Sequence, residues 1–193
     1  MARVDTLKFY SNAIKRHGLT AKGLCWHSEA VQRLRFEVIS SLLPQTLTNE
    51  TLADAGCGFG DFFYYLREKN KLPKKYIGID IHPKMCEVTA QRTKQETMQR
   101  DISHESLPVA DFYVASGSLN LLTPYESVAS IQNCYASVKK AFVFNILEGE
   151  KSSEVYNYMT KKQLLSVAKE LKVRDVHFLQ NYLENDITVA FYK

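Results

Sequence analysis

Asp54-Ala55-Gly56-Cys57-Gly58-Phe59-Gly60-Asp61-Phe62 is the stretch on which the reading of this chain turns. It leaves an apolar run over residues 51–57 and enters a helical pattern over 62–69. Glycine at such a junction lets the backbone turn sharply and pass close to a ligand that a Cβ would displace. The amides opening the helix can receive a carboxylate or phosphate. Taken alone, the loop serves equally well as a plain tight turn. Asp80 changes that balance. It closes the next apolar run, Tyr76-Ile77-Gly78-Ile79-Asp80-Ile81, and stands 20 residues beyond Gly60. A carboxylate there can accept hydrogen bonds from both hydroxyls of a ribose, so the pair points to a nucleoside-containing ligand. The plainer reading of Asp80, a surface acid capping the following helix, accounts for one feature only.

Outward from the loop, strands and helices alternate. Strands are expected at 51–57, 76–81, 97–102, 112–116 and 141–147, with helices at 62–69, 83–94 and 125–138. The run 141–147 is apolar throughout, as a strand buried on both faces requires. Thr160 and Gln163 form a capping-box pair for a last helix through Leu171. Residues 176–182 and 187–192 read as two strands around Leu183-Glu184-Asn185-Asp186, and so short a link makes them antiparallel. The fold class is α/β: a doubly wound, seven-stranded, mostly parallel sheet with helices on both faces and an antiparallel C-terminal strand. Two helices precede it. One covers 5–17 and ends at Gly18; the other is capped by Ser28 and stopped by Pro44. Residues 1–193 form one domain, with 1–48 a helical lid and 49–193 the cofactor-binding core.

The bulk numbers agree with a single globular domain. The chain has 193 residues, 45% of them hydrophobic and 24% charged. Its 25 basic and 21 acidic residues give a net charge of +4, too mild to require a nucleic-acid partner. Cys25, Cys57, Cys86 and Cys134 are scattered without metal-ligand spacing, so no metal is expected and the thiols suit a reducing compartment, the cytoplasm. No stretch reaches the roughly 18 apolar residues of a membrane span.

In these residues the chain resembles the class I S-adenosylmethionine-dependent methyltransferases. Their first motif is matched by Asp54 through Gly60, and their second, the acid ending the next strand, by Asp80. Asp101-Ile102 stands where a third acid approaches the adenine, and Ala115-Ser116-Gly117-Ser118-Leu119-Asn120 where a fourth element lines the donor pocket. The resemblance implies S-adenosyl-L-methionine as cofactor. It further implies that Gly56, Cys57, Gly58 and Gly60 give access to the methionine part and that Asp54 orients its ammonium. Asp80 and Ile81 would hold ribose and adenine, Asp101 and Ile102 the adenine edge and face, and Ser116 and Gly117 the region of the sulfonium. Arg35 could pair with the methionine carboxylate, the alternative being a surface cation. The fourth element lacks the Asn/Asp-Pro-Pro-aromatic pattern of enzymes that methylate amino groups of bases or glutamines.

No catalytic residue is identifiable. His17, His27 and His104 are weak general-base candidates. Tyr10, Trp26 and Gln32 could reach the cofactor mouth from the lid, and Tyr156 and Tyr158 could wall an acceptor pocket, although simple packing explains each. A sulfonium is already an activated donor, so orientation can supply much of the rate. The acceptor is read as a small molecule, with nucleic acid and protein left open, and the chain as a monomer or weak homodimer. Two rivals stand beside this reading. A nicotinamide-dependent oxidoreductase shares the ribose acid but needs Gly-x-Gly-x-x-Gly, whereas this loop spaces its glycines Gly-x-Gly-x-Gly. A nucleoside-binding sensor or scaffold would need no catalysis at all.

Overall fold

Residues 4–193 are described in a computed structural model. Two helices come first, α1 (Thr6–His17) and α2 (Glu29–Ser41), joined by a 3₁₀ turn at Ala21–Leu24. Asp5 and Ser28 cap the two helices by accepting from Lys8 N and Val31 N. The core follows as β1 (Thr51–Ala55), α3 (Asp61–Glu68), β2 (Lys75–Asp80), α4 (Pro83–Thr93), β3 (Glu96–Gln99), β4 (Ala110–Ala115), α5 (Pro124–Ser137) and β5 (Val138–Glu148). It ends with β6 (Tyr158–Met159), α6 (Lys161–Glu170), β7 (Asp175–Leu179) and β8 (Asp186–Tyr192). Proline at the first helical position starts α4 and α5, and capping boxes close Thr123–Glu126 and Thr160–Gln163.

Seven strands lie in the order β3-β2-β1-β4-β5-β8-β7, and the two-residue β6 pairs with the end of β5. All core pairings are parallel except those of β8, which runs against both β5 and β7. The strand order reverses between β1 and β4, and ligands of open α/β sheets bind outside the strand ends at such a switch point. Alternation along each strand builds a core on each face. Ala53, Tyr113, Phe142 and Phe144 point to the side covered by Ile131 and Cys134 of α5 and Leu164 and Val167 of α6. Leu52, Phe112, Val114 and Val143 point to Phe36 and Ile39 of α2 and Phe62 and Leu66 of α3. A third, small cluster of Phe59, Met85 and Val88 receives Tyr10 and Ile14 of α1 and Leu24 of the 3₁₀ turn. That cluster seats the N-terminal segment over the sheet's carboxyl edge.

The expected elements are present, with three differences. β3 stops at Gln99, because Asp101 turns the chain by accepting from Ser103 N, so Asp101 and Ile102 lie in a turn and not in the strand. β5 starts at once after α5 and continues to Glu148. The link between β7 and β8 is wider than four residues, because Asn181 and Asn185 both take left-handed backbone angles there.

One contact ties α2 to the core: buried Lys71 sends its ammonium to Ser40 O at 2.6 Å, Ser40 Oγ at 3.2 Å and Leu43 O at 3.3 Å, satisfying the end of α2. Removing the charge while keeping the stem strands these acceptors. Lys71→Met is expected to cost about 1.5–3 kcal/mol, roughly 3–12 °C in Tm for a domain of this size. Calorimetry checks this, and an unchanged Tm would show that the ammonium caps nothing of consequence.

Candidate functional site

The glycine loop is folded back onto the neighbouring strand. Gly56 N and Cys57 N both donate to Ile79 O, at 2.7 and 3.0 Å, and Gly58 N donates to Asp80 Oδ2 at 3.0 Å. Gly56 (φ 85°) and Gly58 (φ 55°) take backbone angles that L side chains rarely adopt. A Cβ on Gly56 would fall 2.3 Å from the Cβ of Ser118, so the turn after β4 can approach only because residue 56 has none. Asp80 also accepts from His82 N at 2.9 Å, through Oδ1. A carboxylate offers about four lone-pair sites, so acceptor capacity remains for a hydroxyl donor beside the backbone bonds from Gly58, His82 and Ile81. Burial pushes the Asp80 carboxyl up to about 6 against the lowering effect of these backbone bonds. Asp54 is buried one strand away; burial lifts it to about 7, although the Tyr76 hydroxyl donates to its Oδ2.

The turn after β4 is fixed by a residue of β5. Asn145, fully buried, accepts from Gly117 N at 2.8 Å through its Oδ1. Among the described residues its Nδ2 and the hydroxyls of Ser116 and Ser130 are buried polar atoms with no partner. Of these three residues only Ser116 lines the cavity, so only its hydroxyl stands where a polar ligand could supply the missing bond. Asn120 steadies the same turn by accepting from Leu147 N at 3.2 Å.

The N-terminal segment roofs the cleft. Leu24 stands where a Cβ on Gly58 would come within 3.0 Å, and the Trp26 ring where one on Gly117 would come within 2.7 Å. Tyr10, Gln32 and Arg35 line the same cavity, which has a volume of about 360 Å³. Gln32 donates to Asp61 Oδ2 at 3.2 Å. Ser11 of α1 meets His82 Nε2 at 3.0 Å, pinning the lid next to Asp80. The far wall carries Leu147, Tyr156 and Tyr158. Carboxylates dominate the lining, with Asp54, Asp61, Asp80, Asp101 and Glu126 against the cations Arg35 and Arg100. Such a cleft favours a cationic guest.

Of the residues read from the sequence, Asp54, Gly56, Cys57, Gly58, Asp80, Ile81, Asp101, Ile102, Ser116, Gly117 and Arg35 converge on this cavity. Gly60 does not. It caps α3 at φ 78°, and a Cβ there would strike Thr93 at 2.8 Å, so this glycine serves helix packing. Arg35 is no surface cation: it is buried against Asp186. The Cys57 thiol, raised far above its usual range by burial, is held in the protonated form. His27 sits at the mouth, whereas His17 and His104 are not on the cavity wall. Asn145, His82 and Asp186 were not read from the sequence as site residues, and Asn120 only as the end of the fourth element. Asn145 alone left a readable signal, as the single polar residue inside the run 141–147.

Residues 52–141 match a family model described as a methyltransferase domain. No curated protein matches the chain. Similar solved structures include the magnesium protoporphyrin IX methyltransferase of Synechocystis with bound SAH, at 12% identity and TM-score 0.67 over 84% of this chain and 83% of that one. A SAM-dependent methyltransferase of Thermotoga maritima, described as a possible histamine N-methyltransferase, aligns at 13% identity and TM-score 0.64 over 96% and 94%. The SAH complex of DhpI aligns at 11% identity and TM-score 0.70 over 95% and 93%.

The raised carboxyls have a consequence for the ligand-free protein. Folded Asp54 and Asp80 keep protons that the unfolded chain has already released near pH 4, so raising the pH favours unfolding. Their contribution to stability is therefore expected to fall as pH rises from about 4 to about 7. The difference in Tm between Asp54→Asn and the wild type should grow in favour of the variant across this range. A difference independent of pH in differential scanning fluorimetry would refute the raised carboxyl at Asp54.

Proposed function

We infer that this S-adenosylmethionine-dependent methyltransferase of the class I fold methylates a small molecule, and does so by orientation more than by a strong base. The observation that carries the reading is the joint hold of Gly58 N–H and the Asp80 carboxylate at the mouth of an acid-lined, roofed cavity of about 360 Å³. Ligand pockets run from about 300 to 1,000 Å³, so the cavity lies at the small end and leaves little room beside a nucleoside.

In this reading Asp80 holds the ribose hydroxyls, and Ile81 and Ile102 cover the adenine, with Asp101 at its edge. Gly56, Cys57 and Gly58 expose backbone to the methionine part, Asp54 faces its ammonium, and Arg35 meets its carboxylate. The Ser116 hydroxyl, without a partner among the described residues and on the cavity wall, supports a polar guest at the turn after β4. When bound, the donor supplies a methyl group already activated on a sulfonium. The chain's part is to hold the acceptor in line, which can be worth up to roughly 7–11 kcal/mol. Tyr10 supports a role without base catalysis, because burial pushes its hydroxyl far above its ordinary range and it stays neutral. Trp26, Tyr156 and Tyr158 then wall the acceptor. Within the N-terminal lid, α1 and the 3₁₀ turn admit ligands by moving off the third cluster. We place the chain in the cytoplasm, a reading supported by its four free cysteines. Among the described residues no helix is long and apolar enough to cross a membrane.

Asp80→Ala removes two hydrogen bonds to a charged acceptor, each worth about 1.5–3 kcal/mol. The Kd for S-adenosylmethionine is expected to rise at least about 150-fold, with unchanged far-UV circular dichroism, and labelled methyl transfer into a small-molecule cell extract should vanish. Wild-type affinity should strengthen between about pH 5 and 8, with protons released, because the cation binds the ionised forms of Asp54 and Asp80. Unaltered calorimetric affinity in the variant would overturn the ribose role. Binding without transfer into any fraction would make the protein a sensor.

A further inference from the structure

We propose that Asp186, at the start of β8, is a positioning residue that aims Arg35 at the carboxylate of the methyl donor. This rests on the donor assignment above. Arg35 and Asp186 are far apart in sequence and both buried, at 8% and 3% exposure. Arg35 Nε donates to Asp186 Oδ2 at 2.7 Å, and Nη2 donates to the same oxygen. A guanidinium carries five N–H groups in a planar fork. The pair with Asp186 uses the Nε–Nη2 edge. It leaves both hydrogens of Nη1 and the second hydrogen of Nη2, which together form the end-on edge suited to a bidentate carboxylate. Among the described residues no other acceptor takes them, and Arg35 lines the donor cavity.

The orientation is over-determined. The face of the guanidinium lies 4.8 Å from the centre of the Trp26 ring, and that ring fills the space above Gly117. Asp186 is itself held: Tyr182 donates to its Oδ1 at 3.4 Å, and strand pairing places Asp186 opposite Leu147, on the cavity wall. A buried guanidinium without a counter-charge would be costly and free to swing. Asp186 removes both problems, so the arginine meets an incoming carboxylate already aimed.

The test is calorimetric and compares S-adenosylmethionine with its decarboxylated analogue, which keeps the sulfonium, the ammonium and the nucleoside. Wild-type protein should prefer the carboxylated ligand by about tenfold or more, the value of one charge-assisted pair. Asp186→Asn removes the anchor and the counter-charge, whereas Asp186→Glu keeps the charge and displaces it by a methylene. Both should lose most of that preference while binding the decarboxylated analogue within about twofold of wild type. Equal weakening of both ligands would make Asp186 merely structural and overturn the proposal, as would an undiminished preference in either variant. Equal wild-type affinity for the two ligands would assign the Arg35 edge to an acceptor's anion and also overturn it. Should the Asp186 variants not fold, Arg35→Lys keeps the charge but not the fork, and an intact preference there refutes the proposal while a collapsed one supports it. Failure of wild-type protein to bind either ligand would instead sink the donor assignment itself.

Discussion

The hydrogen bond from Gly58 N–H to the Asp80 carboxylate is the constraint around which the molecule is arranged. It joins the loop leaving β1 to the end of β2, and that loop turns through positive φ at Gly56, Gly58 and Gly60. Strand order does the rest. β1 is flanked by β2 and β4, so the loop after β4 must pass beside the glycine loop, and Gly56 is bare where Ser118 arrives. Each of the three loops is shaped by another. The cavity between them is consequently a property of the topology and not of any one segment.

Electrostatics explain why this arrangement is poised for a ligand. Asp54 and Asp80 are buried carboxylates whose desolvation outweighs their hydrogen bonds, since both titrate above the ordinary range. Burial in this cleft penalises the ionised form of both groups. A guest carrying positive charge and hydroxyl donors relieves the penalty and draws the carboxyls to their ionised form. The same sites that weaken the fold at neutral pH thus provide the discrimination in binding, a common trade between stability and function.

Most of the core was legible in the sequence because it obeys short-range rules. Period-two apolar runs gave the strands, and Ser28, Thr160 and the glycine loop marked where helices begin. The site was legible wherever a residue acts through its own backbone or its place at a strand end, as Gly56, Gly58 and Asp80 do. What escaped acts across the sheet. Asn145 binds Gly117 from the adjacent strand, and Asp186 holds Arg35 across 151 positions of sequence, so no local spacing announces either. Gly60 gives a mixed signal: it lies off the cavity wall, and Thr89 and Thr93 of α4 by themselves require a glycine there. A positive φ is the same signal in either case, and only the neighbour of the missing Cβ tells the two apart.

That criterion also orders the roof of the cleft. Gly58 lies under Leu24 and Gly117 under Trp26, so two of the three glycines lining the cavity are covered by the segment between α1 and α2. Contact this close makes the covering segment sense what lies beneath it, since a ligand at Gly117 must share its space with the Trp26 ring. Trp26 is stacked on Arg35, and Arg35 is tied to β8. Displacement of the ring therefore cannot stay local. It must be taken up either by the 3₁₀ turn, whose hold on the core is the small cluster of Phe59, Met85 and Val88, or by the buried ion pair. The apolar cluster is the weaker of the two, because parting a buried pair leaves an uncompensated charge at a cost of about 3–5 kcal/mol. By these contacts α1 and the turn that follows it are the less firmly held part of the roof, and α2, tied to β8 and Lys71, the more firmly held.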